Sequence, residues 1–584
     1  MCGICCTLPI QTQNAPYNPK LAESLAEILR NRGPNVQHQI SLSNGVTFYG
    51  FVLWQQGDRP AKQPLESDKF ILLFNGDIFN ATKDNTVSDT TWLISKLDEC
   101  NDEKDILNLL RLLEGPYSLI AYDKKAQCVY FVRDPLGRNS LLLERDQHSI
   151  RILSSSYMSK DTKTIEIPPV GVFKFNVSLK SNHILYPWTE LDDDQKSSLT
   201  LVSSFICADI TIGEAIDVPW SILKRRKLVY DFSETLAQHS RNENVFESLL
   251  SSDEIAQTVH QLKSLIHKSV KDRVRNSPRY CVNCIEERIN VTEADGECLH
   301  AKLGILFSGG IDCTILAAIA HEYVPETEPI DLINVAFEPV NKSGSSCEGY
   351  NVPDRLSALD SFNELQSLFP HRQWNLVEVD VDRNQIESAM RDHICHLIYP
   401  LETVLDESLG CAFWFASRGI GKIQGDPYST PCRVILVGSG ADELFGGYIR
   451  HRNAFNRCKG NLPEKIKALD DELDLDWKRI PTRNLGRDDR IIADNGRTSR
   501  APFIEENLVQ FVRQLHPLEI CCFELDQGIG DKLLLRLVGY SLGLRGASQF
   551  KKRAIQFGSR IADKKQNAKE ISVYLSHPTE RDIE

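Results

Sequence analysis

No apolar run in the 584 residues approaches the length of a membrane helix, so a helical membrane span is not expected. The opening MCGICCTLPI lacks a basic stretch and a long apolar core, and does not read as a secretory signal. Excess positive charge is missing too. With 67 Lys+Arg against 80 Asp+Glu the net charge is −13, which disfavours binding to nucleic acid, where basic groups must displace counterions. Without a secretory signal, the 17 cysteines read as reduced thiols of a cytoplasmic protein rather than a disulfide framework. The Gly-Lys-Ser/Thr ending of kinase-type phosphate loops does not follow the main glycine turn. The chain is 41% hydrophobic and 25% charged, and longer than one core usually organises, so two or more domains are expected.

What is present is organised around Leu303–His321, LGILFSGGIDCTILAAIAH. Leu303–Phe307 is apolar and short enough for a buried strand, and Ile311–Ile319 is apolar almost all round, as in a buried helix. Between them, Ser308-Gly309-Gly310 would present backbone N–H groups and a positive helix end to an anion. Asp312 stands in the first helical turn, where it would cap the turn or carry magnesium to phosphate oxygens. A second loop of this kind, Gly438-Ser-Gly-Ala-Asp442-Glu-Leu-Phe-Gly-Gly-Tyr448, follows the apolar strand Arg433–Val437. Further strands are predicted at Ile330–Phe337 and Trp374–Val381, with helical spacing around Leu356–Leu368. Such alternation implies a parallel, doubly wound sheet that binds ligands at the carboxyl ends of its strands.

The amino-terminal third carries different chemistry. Removal of Met1 would leave Cys2 with a free α-amine of pKa near 8, able to take the proton of its own thiol. A helix is expected from Asn18-Pro19, with Leu21, Leu25, Ile28 and Leu29 as its apolar stripe. It ends before Arg32-Gly33-Pro34, where Arg32 suits a carboxylate. A strand, Phe70–Phe74, runs into Asn75-Gly76-Asp77, whose side-chain amide and N–H suit an oxyanion hole. Asp89 suits an ammonium group.

These motifs, with Glu114–Asp123 and Arg133–Arg138, resemble the class II (N-terminal nucleophile) glutamine amidotransferases as far as about residue 180. The resemblance implies an α+β fold, an αββα sandwich of antiparallel sheets. It implies Cys2 as nucleophile, Asn75 and Gly76 as oxyanion hole, and Arg32, Gly33, Asn75, Gly76, Asp77 and Asp89 around glutamine. Asp77 stands where that family usually has Glu. The Ser308–Asp312 loop alone resembles the pyrophosphate loop of ATP pyrophosphatases, and the paired loops resemble the synthetase domain of asparagine synthetases. Within that family the likeness is to a divergent group, carried by Val352–Arg355, His396–Ser417, Asn484–Arg490 and Lys552–Ser559.

The resemblance implies glutamine hydrolysis at Cys2, ATP and Mg2+ as cofactors, and AMP-forming amidation of aspartate. Ser308, Gly309, Gly310 and Asp312 would meet pyrophosphate and, with Asp442, the metal. Phe307, Ala336, Gly438 and Ser439 would lie around the nucleotide, and Lys552 would steady charge during adenylation. The loop reads Asp312-Cys313 where the family usually has Asp-Ser. Ser439 occupies the position of the family's reactive-site glutamate, so the alternative is a catalytically altered member with a binding role or a different acceptor. Expected partners are glutamine, aspartate and ATP, not a membrane or nucleic acid, with a homodimer left open.

The expected domains are 2–184 (amidotransferase), 185–285 (linker and helical insertion), 286–560 (synthetase) and 561–584 (disordered tail). Cys281, Cys284, Cys298 and His300 have zinc-ligand chemistry, but the Cys-x-His spacing of the second pair is unusual. The sequence therefore reads them as loop residues, with metal as the alternative.

Overall fold

The structure, a computed structural model, describes residues 1–10, 21–80, 83–84, 86–177, 183–220, 244–289, 298–338, 349–551, 553–562 and 567–576. The expected helix start at Asn18-Pro19 lies outside them. The helix itself runs Glu23–Arg32 with Ala22 at its N-cap.

The first domain is four layers deep. One antiparallel sheet has the order Lys163–Glu166, Leu142–Arg145, Ser149–Leu153, Gly3–Pro9, Thr47–Val52, Val36–Ser41. The other runs Ile210–Ile212, His183–Pro187, Gly171–Asn176, Cys128–Arg133, Tyr117–Asp123, Phe70–Gly76, Leu65–Glu66. Strand periodicity explains the layering. Ile4, Cys6 and Leu8 join the core between the sheets, with Phe48, Ile71, Leu73, Phe131 and Phe173. Cys5 points the other way, to Leu25 and Leu29 of the helix Glu23–Arg32. Helices Asp89–Glu99 and Glu103–Arg111 cover the outer face of the second sheet through Leu93, Leu97, Ile106 and Leu110. Strands covered on both faces read as continuous apolar runs, which is why Phe70–Phe74 shows no alternation.

The second domain is a seven-stranded sheet in the order Asp426–Ser429, Ile420–Ile423, Trp374–Val381, Ile330–Phe337, Leu303–Leu306, Val434–Leu436, Thr498–Arg500. The last five are parallel, and the first two form an antiparallel hairpin on the edge. From Leu303–Leu306 the chain winds outward through Ile330–Phe337 and Trp374–Val381. It then returns to lay Val434–Leu436 on the other side. The order reverses between the Leu303 and Val434 strands, the switch point where such sheets bind ligands, and both glycine loops leave from there.

The expected linker and helical insertion, 185–285, holds its helix, but the described part from Asp193 to Ile212 is not linker. Helix Asp193–Ile206 puts Leu199, Val202 and Ile206 into the first domain's core, and Ile210–Ile212 pairs with His183–Pro187. Helix Asp253–Arg275 buries Ile255, Val259, Leu262, Ile266 and Val270 in the second domain's core. Amphipathic spacing announces a buried face without saying which core receives it. The expected disordered tail also fails in part. Ser572 Oγ donates to Glu407, Ile571 bridges to Thr403, and Leu575 is fully buried. The short uncharged run Ile571–Ser576 anchors itself through Leu575 and Tyr574, which pack on the second domain's core.

Buried arginine–carboxylate pairs join the domains. Arg500 holds Asp77 in a two-pronged contact at 2.8 and 2.7 Å. Arg138 meets Glu506 at 2.6 Å, Arg32 meets Asp489 at 3.0 Å, and Arg490 meets Glu166 at 3.3 Å.

Candidate active sites at the two domains

At the amino-terminal site, strand Gly3–Pro9 starts one residue after Cys2, which pins Cys2 at the end of the sandwich. The Cys2 backbone N donates to Asn75 Oδ1 at 2.7 Å, and Gln63 Nε2 lies 3.5 Å from the Cys2 thiol. Asn75 is in turn held by Ser118 and, through its carbonyl, by Asn139. Gly76 closes the strand beside it. Cys2, Asn75 and Gly76 are thus brought together, and the nitrogen that would act as base already has a fixed acceptor. Met1 is buried, and its ammonium donates to Thr498 Oγ1 of the second domain at 2.9 Å. Burial lowers that amine to about 6.

The three charged residues expected around glutamine have internal partners. Arg32 is fully buried, bonds Asp489 and donates from Nε to the Cys2 carbonyl. Asp77 is gripped by Arg500, whose guanidinium outweighs burial and holds the carboxyl below its usual range. Asp89 lies 2.6 Å from Lys83 and accepts from the Ile78 N–H, yet burial pushes its carboxyl up to about 6. Gly33 ends the helix by donating to the Leu29 and Arg30 carbonyls. Sequence reasoning missed Asp489, Arg500 and Lys83 as partners. Two of them lie in the other domain, out of reach of any local signal.

At the second site, Ser308, Gly309, Gly310, Asp312, Gly438 and Asp442 line one cavity of ≈ 1210 Å³, with Phe307 and Ser439 at its wall. Ala336 is fully buried in its strand, and Val335 rather than Ala336 reaches the lining. Gly309 has φ +75, and a Cβ there would sit 2.2 Å from the Ser357 backbone, so only glycine fits this turn. Cys313 turns inward and donates to the Gly310 carbonyl at 3.2 Å; burial raises its thiol to about 11. Lys552 lies outside the described residues.

Asp312 and Asp442, 130 positions apart, meet at one cation. The Lys532 ammonium lies 2.5 Å from Asp312 Oδ2 and 2.7 Å from Asp442 Oδ1. Lys532 is itself in the left-handed region, φ 55, at the head of helix Leu533–Ser541. A non-glycine residue held there costs on the order of 1–3 kcal/mol, the kind of strain that clusters at functional sites. Burial opposes the charge of Lys532, but the two carboxylates outweigh it and raise its pKa. The only sequence trace of Lys532 is a charged pair, Asp531-Lys532, ahead of an apolar helix. Two carboxylates on facing loops, beside a glycine turn that would receive phosphate oxygens, also fit magnesium, which prefers one or two carboxylates plus phosphate. Glu443, the nearest other acid of the loop, accepts from Tyr448 and Asn484 and is buried.

Comparison with known proteins bears on both domains. Residues 1–167 match the family described as Glutamine amidotransferase domain, and residues 299–465 match Asparagine synthase. The chain is 47% identical to Asparagine synthetase domain-containing protein CG17486 of Drosophila melanogaster, over 97% of this chain and 99% of that one. It is 33% identical to Asparagine synthetase domain-containing protein 1 of Homo sapiens, over 96% and 95%. A Probable asparagine synthetase (glutamine-hydrolyzing) of Dictyostelium discoideum is 23% identical over 90% of this chain and 78% of that one.

Proposed function

Because the chain belongs to the asparagine synthetase domain-containing proteins, within the glutamine-dependent amidotransferases, we propose that it couples glutamine hydrolysis to ATP-dependent amidation of a carboxylate. Aspartate is the acceptor that the synthetase likeness suggests. The observation that carries this reading is the meeting of Asp312 and Asp442 at one cation beside a glycine turn, across a cavity roomy enough for a nucleotide and an acceptor.

After removal of Met1, the Cys2 amine, steadied by Asn75, takes the thiol proton, and Sγ adds to the glutamine side-chain carbonyl. The C–N bond breaks, the proton leaves with ammonia, and water cleaves the thioester to glutamate and free thiol. In the second domain the acceptor carboxylate attacks the α-phosphorus and releases pyrophosphate, and ammonia then displaces AMP. Ser308, Gly309 and Gly310 receive the phosphates. Phe307, Ser439 and Gly438 border the nucleotide, and Lys552 is the cation proposed to steady charge as AMP is transferred. Magnesium, held by Asp312 and Asp442 when bound, supplies charge neutralisation for the leaving pyrophosphate.

A specific observation favours a second reading, an altered member with slow asparagine formation or another acceptor. Ser439 offers no carboxylate, and Glu443 is committed to Tyr448 and Asn484. Pyrophosphate release from ATP with aspartate, with other carboxylates and with none separates the two. Ser439→Glu should raise aspartate-dependent release by roughly 10²–10⁴, the usual worth of a carboxylate in proton transfer. Robust asparagine synthesis by the unaltered chain would discard the second reading, and no release with any carboxylate would discard the first.

A further inference from the structure

Cys281, Cys284, Cys298 and His300 come together in space, although their spacing argued for loop residues. Cys281 immediately precedes helix Val282–Ile289, and Cys284 lies one turn on, so both thiols share one end of that helix. Cys298 and His300 stand just ahead of the central strand Leu303–Leu306. The four ligand atoms all lie within 4.8 Å of one another. His300 Nδ1 is 3.5 Å from Cys281 Sγ, 3.4 Å from Cys284 Sγ and 3.8 Å from Cys298 Sγ.

Hydrogen bonding does not account for this. One ring nitrogen offers a single proton or a single lone pair, so it satisfies one thiol and not three. A central ion does account for it. Zinc bonds of about 2.3 Å to sulfur and 2.0–2.1 Å to nitrogen, at a tetrahedral angle, set sulfur and nitrogen about 3.5–3.6 Å apart. We propose that Cys281, Cys284, Cys298 and His300 form a tetrahedral zinc site in the second domain. Three sulfurs and one nitrogen select a soft ion over magnesium, and four protein ligands close the shell, as in structural rather than catalytic zinc sites.

The surroundings give the metal its task. Val282 N–H donates to the Pro431 carbonyl, which ties the helix to the chain entering strand Val434–Leu436. On the other side, Arg433 reaches the carbonyls of Tyr280 and Trp54, the Trp54 and Tyr280 rings lie 6.3 Å apart, and Arg279 meets Asp58 at 3.0 Å. Residues 275–280 and Trp54–Gly57 wall a cavity of ≈ 240 Å³ between the domains. The zinc therefore fixes the corner of the synthetase domain on which the amidotransferase domain is seated.

The test uses the full chain purified under reducing conditions without added chelator. Elemental analysis should find about one zinc per chain, and cobalt exchanged into the site should give the intense visible bands of tetrahedral Co(II) with thiolate charge transfer. Cys281→Ser with Cys298→Ser should lose both. His300→Ala alters an exposed side chain and should fold; it should release its metal to a chelating dye at least about tenfold faster, as expected of a lost ligand. The proposal is overturned by a wild-type chain that holds less than about a tenth of an equivalent of zinc and takes up cobalt with only octahedral, pale spectra. It is equally overturned by zinc content unchanged in the double cysteine variant. Neither measurement depends on amidotransferase activity.

Discussion

In the amino-terminal site Arg32, Asp77 and Asp89 are 0, 2 and 7% exposed in their side chains, each with an ionic partner at 3.0, 2.7 and 2.6 Å. In the carboxy-terminal site Asp312 and Asp442 keep 22 and 19% exposure at the wall of a ≈ 1210 Å³ cavity. Both sites pair their charges, but only the second leaves them facing open volume. At the first, two of the charges expected around an amino acid, Arg32 and Asp77, also hold the domains together. Glutamine bound there, as proposed, would have to compete with Asp489, Arg500 and Lys83. At the second, Lys532 holds two carboxylates in place without closing the space in front of them.

The largest effect expected from breaking this contrast is chemical. Cys2→Ala should abolish glutamine hydrolysis while the chain still folds, because one buried sulfur is a small part of the core. Equal glutaminase rates in variant and wild type would remove the first site from the mechanism. Next in size is the seam. Asp77→Ala leaves Arg500 buried without its carboxylate and should cost about 3–5 kcal/mol in urea unfolding. Asp77→Leu with Arg500→Met should recover most of it. A loss below about 1 kcal/mol in the single variant would mean that this pair does not hold the domains.

Asp89 sharpens the comparison through pH. Burial lifts its folded carboxyl to about 6, above the ordinary aspartate value, so the folded state binds the proton more tightly. That contribution is fully present below about pH 4 and lost as pH rises through 6. It amounts to at most about 3 kcal/mol. Asp89→Asn should flatten the change in melting temperature across that window, and an unaltered pH profile would show that Lys83 fully compensates the burial. The smallest effect belongs to the open site. Asp312→Asn should weaken magnesium-dependent ATP binding by roughly 1–3 kcal/mol and spare glutaminase activity. Unchanged affinity by calorimetry would reduce the Ser308–Asp312 loop to a structural turn.

How much of this was legible in the sequence follows from distance along the chain. The strand-turn-helix units at Leu303–Ala320 and Val434–Phe445 are written in local apolar runs and glycines, and they appear where expected, at the switch point. The Asn75-Gly76 turn at the end of an apolar strand was legible in the same way, and it lies beside Cys2. Lys532 was not, since a charged pair ahead of an apolar helix does not say that the lysine will be folded back 220 positions onto Asp312. The partner of Arg32 lies 457 positions away. Such pairings are chosen when preformed elements dock, and a guanidinium intended for a carboxylate ligand looks the same in sequence as one intended for a carboxylate in the other domain. The spatial meeting of the Cys/His cluster was hidden for a related reason. Spacing rules describe ligands carried on one hairpin or helix, whereas here two come from a helix start and two from the approach to a strand.

Burial of Met1 against Thr498 carries a consequence for the order of events during synthesis. Use of Cys2 as an N-terminal nucleophile requires the methionine to leave, yet in the folded chain its amine is held inside the seam by a residue 497 positions later. At about 5–20 residues per second the ribosome needs roughly 25–100 s to make that stretch. The excising peptidase therefore has its opportunity before the second domain exists. On the proposed role of Cys2, a chain that completes folding with Met1 in place would have sealed its own nucleophile, and the fraction of active molecules would be decided on the ribosome.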